Sequence, residues 1–267
     1  MSNLVQNITL KTGLDIHRMR KASRLIEKIF RSIKGMLRPG LTTLEIDEFC
    51  SRLFIENNAL SSQKGYRGFP ASICTSVNQV AVHGVPNSLP LRENDILTVD
   101  ITLNIGGWHG DSAWTFIVGK PDAEKMHLLK AAWKATIAGI LAARAGNRLG
   151  DVGYAIERAA KRMGCAVLDD FAGHGIGSSF HEDPIVANSG TKGTGQPIIP
   201  GMVFTVEPIV CLGRPQVVVM PDGWTVVTKD GSLTAQFEHT IAIFKDRTEI
   251  LTLSDDLRQN LDVPPFF

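Results

Sequence analysis

Cysteine is scarce and scattered in this chain. Cys50, Cys74, Cys165 and Cys211 show no paired spacing, which argues against a disulfide framework or a thiolate zinc site. Long hydrophobic runs are missing too: none approaches the roughly 20 apolar residues that cross a bilayer as a helix. Residues 1–10 mix Asn, Gln and Thr with aliphatics instead of following a basic-then-apolar leader pattern. Net charge is nearly absent at +1, so no bulk attraction draws the chain to DNA or to an anionic membrane. With 43% apolar and 21% charged residues over 267 positions, the composition is that of a globular protein able to bury a large core. A cytoplasmic location fits these limits.

Apolar residues at three- and four-residue spacing (Ile16, Met19, Ile26, Ile29, Ile33) predict a helix over residues 14–37, stopped by Pro39-Gly40. Thr42 with Glu45 makes a capping box for a second helix that ends at Asn57-Asn58. Strand-like runs cover residues 72–77, 95–103 and 108–118, with Gly106-Gly107 between the last two. Pro121 is expected to open a third helix, and Asp151 to cap a fourth running to Met163. Beyond Ala166, short strands alternate with glycine- and proline-rich turns.

The chain also echoes itself. Ile96-Leu97-Thr98-Val99-Asp100 recurs as Val203-Phe204-Thr205-Val206-Glu207, 107 residues on. Gly40, Glu45 and Ile46 recur as Gly146, Asp151 and Val152, 106 residues on. The shared offset reads as a duplicated helix–strand unit that places a carboxylate at the same point of each strand.

Those carboxylates lie where acids are costly. A turn centred on Ile105-Gly106 would set Asp100 directly opposite Asp111, with β-carbons roughly 5 Å apart. Like charges so placed repel unless one is protonated or a cation lies between them. Asp100 sits within an apolar run, Glu207 ends the run 203–206, and Glu238 lies among apolar, aromatic, His and Thr neighbours, with no Lys or Arg in the Glu207 or Glu238 run. Buried acids without a positive partner cost several kcal/mol, on the order of ordinary desolvation penalties. His174 stands in Gly173-His174-Gly175-Ile176-Gly177, whose glycines permit unusual backbone angles and close approach of a ligand. Four acids and one imidazole form a hard-to-borderline ligand set suited to divalent Mn, Fe, Co or Zn. Two such ions ~3.5–4 Å apart would generate a hydroxide nucleophile from a bridging water.

In this order the motifs resemble the type I methionine aminopeptidases of the creatinase/aminopeptidase, or pita-bread, superfamily. The stretches that carry the resemblance are Ser76-Val77-Asn78, Val82-His83-Gly84-Val85-Pro86, Val99-Asp100-Ile101, Trp108-His109-Gly110-Asp111, Gly173–Gly177, Phe180-His181-Glu182-Asp183-Pro184, Phe204–Pro208, Asp222-Gly223-Trp224-Thr225 and Gln236–Thr240. The resemblance implies an α+β fold: pseudo-twofold duplicated helix–strand units around a curved antiparallel β-sheet, in a single catalytic domain with halves at about residues 14–120 and 121–251. It implies release of the N-terminal methionine from nascent proteins and peptides whose second residue is small, through a water activated by two divalent ions. Asp100 would bind one ion, Asp111 and Glu238 would bridge both, and His174 and Glu207 would hold the other. Glu207 would also be the general base, His83 would contact the scissile nitrogen, and His181 would stabilise the oxyanion. Tyr66, Phe69, Cys74, Phe180 and Trp224, with the two histidines, would receive the methionine side chain, for which aromatic walls suit a thioether.

The chain departs from the family pattern at Arg67, where many bacterial relatives carry His, at Phe69 in place of Tyr, and at Val82 in place of Cys. The competing readings are an Xaa-Pro aminopeptidase of the same fold and a non-catalytic peptide binder. His109 and His239 adjoin ligands but alternate to the other strand face, and His17 and His127 read as solvated helix residues. Nine Lys/Arg between residues 10 and 38 face only Asp15 and Glu27. They form a solvated face or, in the sharper reading, a transient ribosome contact. The partner expected is otherwise a peptide bearing N-terminal Met, with no DNA or membrane, bound by a monomer.

Overall fold

The computed structural model describes residues 8–258 and 261–262, so the leader reading of the first residues falls mostly outside the described part. Thr12 and Thr42 start the first two helices by one device. Each threonine hydroxyl accepts the N–H three residues on, while Asp15 or Glu45 accepts the threonine's own N–H at 2.9 and 2.8 Å. This satisfies two of the end donors of each helix. Helix α1 (Gly13–Met36) buries Ile16, Met19, Ile26, Ile29 and Ile33, none more than 2% exposed. At roughly 1.5–3 kcal/mol per fully buried aliphatic side chain, that stripe holds α1 against the sheet. Helix α2 (Thr43–Glu56) ends at Asn57.

Two helix starts differ from expectation. Pro121 does not open α3 (Ala123–Ala142); Asp122 caps it, because its carboxylate accepts the Lys125 N–H at 2.8 Å and a proline side chain offers no acceptor. Asp151 is not the cap of α4 (Leu149–Arg162) but stands in its first turn. Its carboxylate reaches back to the Arg148 N–H at 2.8 Å and across to the Gly193 N–H at 2.7 Å, so the helix begins before the acid.

Between the helix pairs lie β1 (Leu60–Ser61), β2 (Cys74–Val77), β3 (Val80–Val82), β4 (Ile96–Ile105) and β5 (Trp108–Ile117). After α4 come β6 (Ala166–Val167), β7 (Ala172–Gly175), β8 (Glu182–Ala187), β9 (Val203–Val206), β10 (Ile209–Cys211) and β11 (Val217–Val219). The chain closes with β12 (Val226–Thr228), β13 (Thr234–Gln236), β14 (His239–Ile243), β15 (Thr248–Ile250) and the short α5 (Asp255–Arg258). Pairing among the described strands is antiparallel throughout. One sheet runs β1-β4-β2 with β5 on β4, and a second runs β15-β14-β9-β7-β8; β11-β12-β3 and β13-β10-β6 are smaller.

The two larger sheets, and β13 of a smaller one, meet along β5 through a seam made largely of hydroxyls. Ser112 Oγ donates to the Glu238 carbonyl at 2.5 Å, and Thr115 Oγ1 donates to the Gln236 carbonyl at 2.7 Å while accepting the Gln236 N–H at 2.9 Å. Thr240 Oγ1 donates to the Asp111 carbonyl at 2.8 Å, and the Glu238 N–H reaches the Ala113 carbonyl at 2.9 Å. This seam brings the two acid-bearing strand pairs edge to edge. The loops before α2 and α4 are bonded alike. Gly40 and Gly146, both left-handed (φ 89 and 94), donate to Leu91 and Ile198, whose N–H groups return bonds of 2.8 Å to Leu41 and Asn147.

Candidate metal centre

The β4–β5 hairpin turns on Gly106-Gly107, not on Ile105-Gly106. Both glycines are left-handed (φ 59 and 86), as the tight turn matched to strand twist requires. The register is therefore two residues from the expected one: Asp100 pairs with Ala113, and Thr102 with Asp111. A slip of two preserves side-chain parity, so both aspartates stay on one face, as diagonal rather than facing neighbours. Thr102 Oγ1 donates to Asp111 Oδ1 at 2.7 Å.

From the second sheet, Glu207 follows β9 and accepts the Thr205 hydroxyl at 2.6 Å, and Glu238 precedes β14 at 3% exposure. On β7, His174 Nδ1 lies 2.9 Å from the Gly175 carbonyl, which makes Nδ1 a donor and turns Nε2 toward the acids. Nε2 lies 3.5 Å from Asp111 Oδ2 and 3.7 Å from Glu207 Oε1. The glycines beside His174 serve close packing rather than unusual angles. A Cβ on Gly173 would lie 2.4 Å from the Thr205 carbonyl, and one on Gly175 2.1 Å from that of Asp183.

Ligand atoms of Asp111, His174 and Glu238 all lie within 4.8 Å of one another. Asp100 and Glu207 line the same cleft, of ≈ 720 Å³, and Asp100 Oδ1 is buried without a hydrogen-bond partner. Without cations, this crowding is met by protons. Burial first, then neighbouring acids, raises the Asp100 and Glu238 pKa values well above the ordinary carboxylate range. Burial raises that of Glu207 to about 7. Burial would lower that of His174, but the Asp111 hydrogen bond and the charges of Glu207 and Asp111 outweigh it and raise the value to about 9. The only Lys or Arg among the described cleft-lining residues is Arg67, which is exposed. An acid cluster with an orphaned oxygen and an imidazole, and with no cationic side chain in the cleft other than that exposed guanidinium, fits divalent cations.

One wall of the cleft is aromatic. Phe69 meets Trp224 edge-on at 5.2 Å, Phe180 lies 4.9 Å from Tyr66, and His181 stacks on Tyr66 at 5.1 Å. Cys74 is buried beneath Phe69 and Trp224. Burial, then the charge of Asp100, pushes its thiol pKa far up, so it is a packing residue rather than a thiolate nucleophile. His83 holds a left-handed backbone (φ 55) at the cleft, a strained conformation of the kind found at functional sites. Burial lowers its pKa, and burial followed by the charge of His174 lowers that of His181 to about 4. Both therefore present neutral rings near neutral pH. All twelve residues expected at the site from sequence line this cleft.

Sequence reasoning missed Gln63 and Phe171, which also line it. Gln63 accepts the Thr102 N–H at 3.2 Å and donates to the Asp100 carbonyl at 3.2 Å. It also missed Thr102, Thr205 and Thr240. Each stands two residues from an acid on the same strand path, and that spacing was the available signal. His109 and His239 lie off the cleft, but only His239 alternates to the other face; His109, two residues from Asp111 on β5, shares that acid's face. His109 bonds the Gly177 carbonyl at 3.0 Å and stacks beside Phe180, while His239 packs between Trp114 and Trp133.

Residues 17–245 match the family model of metallopeptidase family M24. This chain belongs to that family. Among M24 relatives, methionine aminopeptidase A of Synechocystis is 43% identical over 249 residues, covering 93% of this chain and 98% of the relative. The crystal structure of the methionine aminopeptidase from Rickettsia prowazekii is similar with a TM-score of 0.91 and 40% identity, over 92% of this chain and all (100%) of that one. The X-Pro aminopeptidase of Thermotoga maritima is more distant, with a TM-score of 0.71 and 19% identity over 92% of this chain and 62% of that one; that likeness concerns the fold alone. The M24 assignment makes the chain a metal-dependent hydrolase, and the α+β pita-bread fold is shared with these structures. Among the described residues no helix is long and apolar enough to cross a membrane.

Proposed function

We propose that this chain is a methionine aminopeptidase that removes the first methionine from new proteins and peptides whose second residue is small. The observation that carries this reading is the junction of an acid–imidazole centre with an aromatic, cysteine-floored pocket in one cleft. A thioether fits such a wall by area burial and sulfur–aromatic contact.

Asp100, Asp111, His174, Glu207 and Glu238 would hold two divalent cations, Asp111 and Glu238 shared between them. When bound, the cations supply Lewis-acid activation of a water nucleophile. The protein's own groups do the rest. The aromatic wall orients the methionine and excludes water. Glu207, whose Oε1 accepts the Thr205 hydroxyl, would take the proton of the nucleophilic water as general base. The neutral His83 ring bonds the scissile nitrogen, and the neutral His181 ring donates to the carbonyl oxygen as it gains charge.

The chain acts as a cytoplasmic monomer, one domain built of halves at about residues 14–120 and 121–251; the matched loop bonds before α2 and α4 support that division. A transient ribosome contact would use the outward cations of α1. Lys11, Arg20, Arg24 and Arg31 already face carboxylates within the chain, which leaves Arg18, Lys21, Lys28, Lys34 and Arg38 exposed for it.

Peptide turnover tests the reading. The protein should release methionine from Met-Ala-Ser, leave Ala-Pro peptides uncut, lose activity with EDTA and regain it with added Co, Fe, Mn or Zn. Cleavage confined to Ala-Pro would move the assignment to the proline-specific enzymes.

A further inference from the structure

Lys11 stands on the segment entering α1, far in sequence from the cleft, yet its side chain ends behind the cleft wall. That side chain is 2% exposed, and its ammonium donates to the Thr9 carbonyl at 2.8 Å and forms an ion pair with Glu182, 171 residues away. The other Glu182 oxygen accepts the Ser179 N–H at 3.0 Å. Glu182 thereby closes the turn of residues 179–182, and Lys11 clamps the closed turn from behind. Inside the turn are Phe180 and His181, both on the cleft wall.

The fit around the clamp is close. A Cβ on Gly177 would lie 2.4 Å from Lys11 Cε and 2.8 Å from Glu182 Oε1. Gly177 is held from the other side by the His109 N–H at 2.9 Å. The Lys11 backbone is fixed as well, its N–H donating to the Gly201 carbonyl at 2.7 Å. Lys11 does not line the cleft, whereas Glu182 does, so Lys11 acts on the site only through Glu182 and the turn it closes.

We propose that Lys11 and Glu182 are positioning residues: their buried ion pair sets the turn that aims His181 and Phe180 into the cleft. Each buried charge needs the other, so neither can move alone, and the carboxylate uses its second oxygen to fix the turn's backbone. The inference rests on the methionine aminopeptidase reading for the reaction it affects. A displacement of ~1 Å in such a group lowers turnover by roughly 10²-fold.

Two variants test it in cation-loaded protein. Lys11→Met keeps the stem and removes the ammonium; Glu182→Gln keeps the shape and removes the charge. Each should lower kcat on Met-Ala-Ser by about 10–100-fold with KM held within about threefold, a split that general loosening of the fold would not give. The double variant should lose no more than either single, because both act through one contact. Wild-type kcat in Glu182→Gln, or losses that multiply in the double, would overturn the proposal, and Glu182→Gln decides the matter if Lys11→Met does not fold. A crystal structure of cation-loaded Glu182→Gln provides a readout independent of the reaction. Residues 179–182 should shift by ~1 Å while α1 and β7 superpose, and an unmoved turn would refute the clamp. Should the wild type release no methionine, the functional reading falls and this structural readout still decides the inference.

Discussion

The two faces of β5 and of the strand path through Glu238 are almost equally dry and are built on opposite principles. On the back face, Trp114 meets Phe237 edge-on at 5.3 Å, and His239 lies 5.8 Å from both Trp114 and Trp133. On the front face, one residue before His239 and three before Trp114, stand Glu238 and Asp111, each 3% exposed. Burial keeps His239 neutral by driving its pKa to about 3, whereas burial and then neighbouring acids raise the Glu238 pKa well above the ordinary carboxylate range. Burial on the back is compensated by packing; on the front the crowded acids call for protons or cations. The stability of one face should therefore be indifferent to metal, and that of the other should depend on it.

The largest effect expected from breaking this contrast is on the back. Trp114→Ala should lower unfolding free energy by about 3–5 kcal/mol, read from urea denaturation, with kcat of the remaining folded protein within about threefold of wild type. On the front, Glu207→Gln should leave the Tm nearly unchanged and reduce kcat by ~100-fold, equivalent to ~2.7 kcal/mol of barrier. A variant retaining more than about a tenth of wild-type kcat would remove Glu207 from its assigned role.

The smallest effect is in pH dependence after chelation. Asp100, Glu207 and Glu238 have folded pKa values above their ordinary ones. The folded metal-free chain therefore holds more protons than the unfolded chain, and stability declines as pH rises from about 4 through the raised values. His174, raised to about 9, adds stability below 6.5 that is lost as pH climbs through its folded value, so it acts in the same direction. The Tm of EDTA-treated protein should fall by at least ~3 °C from pH 5 to pH 8, about 1 kcal/mol for a chain of this size, relative to cation-loaded protein. Parallel curves for the two forms would mean that the front acids do not carry the difference.

Much of this was legible in the sequence because the signals were local. The capping box at Thr42 depends on side chains three residues apart, and Asp100, His174, Glu207 and Glu238 stood out because each lies in or ends an apolar or glycine-rich run; the matching box at Thr12 came only from the structure. Asp151 misled because an acid can hold a helix end from within the first turn as well as from the cap. The hairpin register misled because the choice between two adjacent turn centres depends on which pair of residues can both be left-handed; Gly106-Gly107 can, and Ile105 cannot at low cost. The Lys11–Glu182 contact and the Ser112–Glu238 bond span more than a hundred residues, and no periodicity encodes such distances.

The seam along β5 has a mechanical consequence. Backbone ladders hold neighbouring strands at about 4.8 Å, but across this seam the hydroxyls of Ser112, Thr115 and Thr240 carry bonds beside the backbone bond from Glu238 to Ala113. Asp100 and Asp111 stand on one side of that joint and His174, Glu207 and Glu238 on the other, so a cation held by both sets would also tie the two sheets together.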